Sequence, residues 1–213
     1  LLHKAPGIWT VYHAIDKRVP DTFQQQQALH YIQKEIPHIP VQADGLPHED
    51  LELVPTTNWQ PYTWSVNNVA LAENLNTALA FWQGGNPEAG YKLFESALVE
   101  SMYLGASPGG FRQLSFYDAI RGELYRDFAD PIGVASRALV EGLFGIQPNL
   151  LEHKLKIKPG FPEEWDHANL NLPDLDVAFK KTGNTTTYTI TNKFKTDVDL
   201  ELELSINTTA IKA

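Results

Sequence analysis

The apolar residues change period once along the chain, near residue 147, and that change limits the fold more than any other feature. Before it, apolar positions recur at three- and four-residue spacing, as in helices that bury one face. After it, residues alternate with period two and β-branched side chains accumulate, as in strands. Helices followed by strands make an α+β chain rather than an alternating α/β one. The expectation is two units: residues 1–147 helical, and residues 148–213 a small antiparallel β-sandwich domain or a portion of one.

Local signals place the elements. Residues 21–36 read as a helix, with Pro20 before it, Asp21 as its cap, Pro37 as its stop and Phe23, Ala28, Leu29 and Ile32 as its apolar stripe. A second helix is expected over 65–85, capped by Ser65 and ended by Gly84-Gly85, with Val66, Val69, Ala70, Leu75, Leu79 and Trp82 on one face. A third opens at Pro87 and runs through Tyr91, Phe94, Leu98 and Met102 to Gly105. A fourth follows the Asp130-Pro131 pair and carries Val134, Leu139, Val140, Leu143 and Phe144. Strands are expected at 155–158, 177–181, 186–192 and 198–206, with Gly183-Asn184 as a hairpin turn. Lys154, Lys156 and Lys158 alternate as on the exposed face of a strand.

The links between helices are unequal. That at 83–87 is short, whereas 37–64 and 106–130 are long, and long connections in compact domains are often functional. Up-down helices put alternate links at opposite ends. The two long links should therefore share one rim, and a binding site is expected there.

Composition removes several classes of function. A net charge of −9 argues against nucleic acid or an anionic membrane as partner, since both call for clustered Lys and Arg. The absence of cysteine excludes disulfides and thiolate chemistry. No apolar run approaches the roughly 20 residues of a membrane span, and no charged-then-apolar leader is present. The chain opens on Leu1-Leu2-His3-Lys4, and Met102 is its only methionine, so a processed or truncated product is expected. The seven histidines show no metal-ligand spacing. Ser107-Pro108-Gly109-Gly110 is a turn rather than a nucleophile elbow or a phosphate loop. No metal or cofactor is expected. Two sequons, Asn184-Thr185-Thr186 and Asn207-Thr208-Thr209, carry no argument alone.

Two stretches could carry chemistry. Residues 116–130 hold Asp118, Glu123, Asp127 and Asp130 with Arg121, Arg126 and Tyr125, just before a helix start. Glycosidic hydrolysis needs two carboxyl groups, one acid and one base or nucleophile. Arginines hold carboxylates bidentately or bind acidic sugars. The plainer reading is a surface loop with ion pairs and a cap at Asp130. Residues 56–68 hold Trp59, Gln60, Tyr62, Trp64 and Asn67, rings for stacking on sugar faces and amides for hydroxyls. The plainer reading packs Trp59 and Trp64 in the core. Glu49, Asp50 and Glu52 lie upstream in the same long link and are the other carboxylates expected on that rim.

The run Tyr125-Arg126-Asp127-Phe128-Ala129-Asp130-Pro131-Ile132-Gly133-Val134, continuing to Ile146, resembles the last inner helix of six-hairpin, (α/α)-barrel glycosidase-like proteins. Such proteins are frequent in polysaccharide-degrading gut bacteria, and many are described only as a domain of unknown function. Lys158-Pro159-Gly160-Phe161-Pro162-Glu163-Glu164-Trp165 is similar to the junction at which glucoamylase-like, maltose-phosphorylase-like and rhamnosidase-like enzymes pass from barrel to β region. The stretch 59–67 also resembles that group. The resemblance implies that residues 1–147 are the C-terminal part of an (α/α)6 toroid. It implies a catalytic base in the loop before the twelfth helix, with Glu123 first and Asp127 and Asp130 behind it. It puts the general acid in a loop between the fifth and sixth helices, upstream of this chain. Either an upstream polypeptide segment supplies the acid, or Glu49, Asp50 or Glu52 does so by another arrangement.

The leading expectation is a glycosidase acting on a plant- or host-derived oligosaccharide or polysaccharide, by inversion. Glu123 would activate water, Trp59, Tyr62, Trp64 and Tyr125 would wall the subsites with Gln60 and Asn67, and Arg121 or Arg126 would orient a carboxylate or contact substrate. A periplasmic or secreted location goes with that reading. Its rivals are a non-catalytic carbohydrate-binding or scaffold module and a sugar phosphorylase on the same barrel.

Overall fold

The computed structural model describes residues 5–41, 45, 50–59, 66–104 and 130–204. Its first helix, α1 (Ile8–Asp16), was not anticipated from local signals: Gly7 at its N-cap makes no side-chain cap bond. It exists because Ile8, Val11, Tyr12 and Ile15 form a buried stripe. The next, α2 (Thr22–Glu35), starts with a capping box in which Asp21 accepts from Gln24 N and the Gln24 side chain accepts from Asp21 N. Its stripe is narrower than expected: Leu29 and Ile32 are buried, but Phe23 is exposed. The pair β1 (Ile39–Pro40) and β2 (Glu52–Leu53) follows.

The most buried helix is α3 (Leu71–Gln83). It begins five residues later than the sequence suggests, with Ala70 rather than Ser65 at its N-cap. The reason is tertiary. Residues 66–68 bond instead to Thr56 and Thr57, with Thr56 N donating to Asn68 O at 2.8 Å. A tight turn at Gly84-Gly85 leads to α4 (Pro87–Leu98), capped by the Asn86 side chain with Pro87 in the first turn. The helix then widens to a π run, Val99–Leu104. Beyond the undescribed residues lies α5 (Asp130–Arg137), which also widens, into Ala138–Leu143.

Helices α1, α3 and α5 lie side by side and run the same way. Along α1, Tyr12 bonds Glu73 and Asp16 bonds Gln83, so both helices advance together. The run from Asp130 to Leu143 packs along α3 with Gly142 against Trp82, so their C-terminal ends also coincide. The hairpin partner α4 returns antiparallel, with Gly90 opposite Trp82. One buried cluster then continues from Ile8 through Leu75, Leu79 and Leu143 into Ile146, Leu155 and Val177.

The chain turns to strands directly after the π run. The first, β3 (Ile146–Asn149), straddles residue 147 and pairs antiparallel with β4 (Lys154–Ile157). A second sheet joins β5 (His167–Asn171), β6 (Leu175–Thr182) and β7 (Thr185–Asn192), all antiparallel. Gly183, at φ +59°, and Asn184 form the two-residue turn between β6 and β7. One pairing corrects the all-antiparallel expectation: β8 (Asp199–Leu202) lies parallel to β4. Parallel neighbours need a long crossover, and here the whole β5-β6-β7 sheet occupies that connection. Among the described residues the class is α+β.

Candidate functional site

Two pairs of chain segments are pinned together at the end where α3 begins. Val41 N donates to Leu51 O at 2.8 Å, closing the first beside the β1–β2 pair. The second is closed by Thr56 and Thr57 against Val66 and Asn68. The described residues of the connection 37–64, expected as one long link, thus form a clamped base. Asn74, fully buried on α3, seats that base: its Oδ1 accepts from Val54 N at 2.8 Å and its Nδ2 donates to Val54 O at 2.9 Å. Ser96 Oγ on α4 accepts from Glu52 N at 3.0 Å. Ile8 N, at the start of α1, donates to Thr56 O. The N-terminal ends of α1 and α3 therefore meet at this base, and Asp130, opening α5 in the same sense, lies toward the same end.

The sequence-derived candidates divide accordingly. Trp59 is partly buried, packs edge-on against Trp9 with centroids 6.1 Å apart, and donates from Nε1 to Ala5 O at 2.6 Å. Asn67 is buried and its Nδ2 donates to Trp59 O at 2.8 Å, so its amide holds the loop. Asp50 is exposed, 3.8 Å from Lys92 Nζ. Asp130 is an exposed first-turn residue. Glu49, Gln60, Tyr62, Trp64, Arg121, Glu123, Tyr125, Arg126 and Asp127 lie outside the described residues.

Glu52 has an environment opposite to that of a proton donor. Its Oε1 accepts from Lys92 Nζ at 3.0 Å and lies 2.9 Å from His38 Nδ1. Partial burial opposes ionisation, but Lys92 and His38 outweigh it and hold the carboxyl below its ordinary range. A general acid needs the reverse, a carboxyl raised toward neutral pH.

The structure adds groups that motif reading missed. Tyr12 OH donates to Glu73 Oε2 at 2.5 Å between α1 and the first turn of α3. Burial, then the Glu73 contact, pushes the Tyr12 phenol up, so it stays a donor. Glu100 is buried in the π run that ends α4, at the end of the helix pair where α3 begins. No spacing rule pairs residues 12 and 73, which lie 61 positions apart. The signal within reach was Glu73 as a first-turn carboxylate, a placement that complements the helix dipole. Among the described residues no group of three His, Asp or Glu is placed to hold a metal ion. No described helix is long and apolar enough to cross a membrane.

At the opposite end, the helix C-termini and the β3-β4-β8 sheet line a cleft of about 880 Å3, which none of the described sequence-derived candidates lines. No protein-family model matches the chain, and neither does any curated protein.

Proposed function

We propose that the chain is the C-terminal part of a six-hairpin glycosidase, working at the end where the helices begin. It acts on an oligosaccharide or polysaccharide through two carboxyl groups, with inversion. One observation carries the reading: α1, α3 and α5 run in one sense, and the starts of α1 and α3 converge on the clamped base of the Trp59 loop. Alternate helices running parallel, with antiparallel partners between them, is the repeat that a helical toroid requires. In that arrangement the segment leading into Asp130, with Glu123 and Asp127, belongs to the same rim as the Trp59 loop. Glu123 is the base that activates water. Residues 60–65 contribute Gln60, Tyr62 and Trp64 to the sugar-facing wall.

A second reading draws on Glu52. Held ionised by Lys92 and His38, it does not serve as the acid. A chain without an acid of its own binds sugar without cleaving it, unless a further segment completes the site.

Reducing-sugar release from a panel of plant and host oligosaccharides, alongside a glycan array, tests both. Release that falls about 100- to 10,000-fold in Glu123→Gln, with folding intact, supports hydrolysis with Glu123 as base. Binding without release supports the module. Release only with added inorganic phosphate identifies a phosphorylase. Near-normal turnover in Glu123→Gln removes that residue from the mechanism.

A further inference from the structure

The 880 Å3 cleft has the composition of a site for hydroxyl groups. Along β4 and β8, Leu155 and Ile157 pair with Leu200 and Leu202 on one face, while Lys154, Lys156, Asp199 and Glu201 occupy the other. That polar face looks across the cleft at the C-terminal ends of α1 and α3 and at the π run Ala138–Leu143. The helical wall carries Asp16, Gln83 and Glu141, and the sheet wall carries Lys156, Lys158 and Glu203.

Several charges on both walls are paired locally. Arg137 bonds both Asp16 and Glu141. Lys156 lies 2.7 Å from both Glu201 and Glu203, and Lys158 lies 2.7 Å from Glu203. Ion-paired walls present donors and acceptors side by side, which suits groups that both give and accept hydrogen bonds. The Gln83 amide has capacity to spare. Its Nε2 donates to Asp16 Oδ1 at 3.2 Å, which fixes the opposite end as the carbonyl, and among the described residues buried Oε1 has no partner. Leaving a buried acceptor unmet is costly, and a donor arriving from the cleft relieves that cost. Trp82, Leu155 and Gly142 add apolar lining. The volume lies within the roughly 300–1,000 Å3 of small-molecule sites.

We infer that this cleft is a second binding site, remote from the helix-start rim, for a short neutral oligosaccharide. The sugar class rests on the function proposed above; the site itself rests on the cleft. Cello-, xylo-, manno- and maltotetraose are the probes, titrated into the full chain by calorimetry and saturation-transfer NMR. The expected result is saturable binding of at least one probe that weakens about tenfold in Gln83→Leu. Glu203→Gln, at an exposed position, should weaken it also and guards against misfolding of the first variant. A Tyr62→Ala, Trp64→Ala double variant, aimed at the rim proposed above, should leave this binding in place. Binding lost in the double variant but unchanged in Gln83→Leu and Glu203→Gln overturns the cleft and leaves the rim standing. No saturable binding, or tighter binding of trigalacturonate or inorganic phosphate than of the neutral probes, also overturns it. The release assay on Glu123→Gln judges the rim separately.

Discussion

Trp82 donates from its indole Nε1 to the carbonyl of Gly160 at 3.0 Å, across 78 residues of sequence, and this contact ties the helices to the strands. Three glycines make room for the ring. A Cβ built at Gly142 meets Trp82 Cε3 at 2.2 Å, one at Gly160 meets Cδ1 at 2.3 Å, and one at Gly90 meets Cδ2 at 2.9 Å. Phe94 packs edge-on against the ring, with centroids 5.6 Å apart.

Because the indole is held on all these sides, it cannot retreat from an added methyl. Gly142→Ala should destabilise the fold by about 1–3 kcal/mol, the usual cost of overpacking. Gly133→Ala, one helix segment earlier, meets nothing within 4 Å and should stabilise by about 0.5–1 kcal/mol. Urea unfolding of the two variants checks the opposite signs. Equal effects would mean that Trp82 is not confined.

Asn74 provides another test, because one amide satisfies both polar groups of Val54. Asn74→Ala leaves a buried N–H and a buried C=O unpaired, which should cost about 2–4 kcal/mol. Hydrogen exchange at Val54 should rise with it. Unchanged protection there would show that the loop base does not depend on α3.

The Asp16 carboxyl predicts a pH dependence. Burial works against its charge, but hydrogen bonds from Arg137, Lys17 and Gln83 prevail and bring it down to about 2. A carboxyl depressed on folding stabilises fully above its unfolded value, about 3.9, and that stability is lost as pH falls through about 2. Unfolding free energy should therefore decline between pH 4 and pH 2, and less steeply in Asp16→Asn. Parallel declines would remove Asp16 as a source.

Lys92 governs Glu52. Replacing it in Lys92→Met should raise the Glu52 carboxyl toward its ordinary range, leaving His38 Nδ1 as its remaining near partner. Carbon-13 NMR titration of the Glu52 carboxyl reads this directly. An unchanged midpoint would assign the depression to His38.

What could be read in advance was local. The Asp21 cap, Pro87 at the start of α4 and the Gly183-Asn184 hairpin each rest on residues within three positions of one another, so spacing alone reveals them. The alternating lysines of β4 were legible for the same reason, although their partners Glu201 and Glu203 were not. The candidate site was legible only in outline. Its ring- and carboxyl-rich stretches stand out by composition, but the clamp between Thr56 and Asn68, the Asn74 seat and the Tyr12–Glu73 bond join residues 12 to 61 positions apart.

Residue type and period by themselves determined that helices precede strands, because burial on one face requires 3.6-residue spacing in one case and 2-residue spacing in the other. Tertiary structure alone decided where α3 starts, that β8 runs parallel to β4 and that three glycines surround Trp82. Each of these depends on which distant group takes a hydrogen bond or a buried volume, and a linear sequence carries no record of that until the chain has closed on itself.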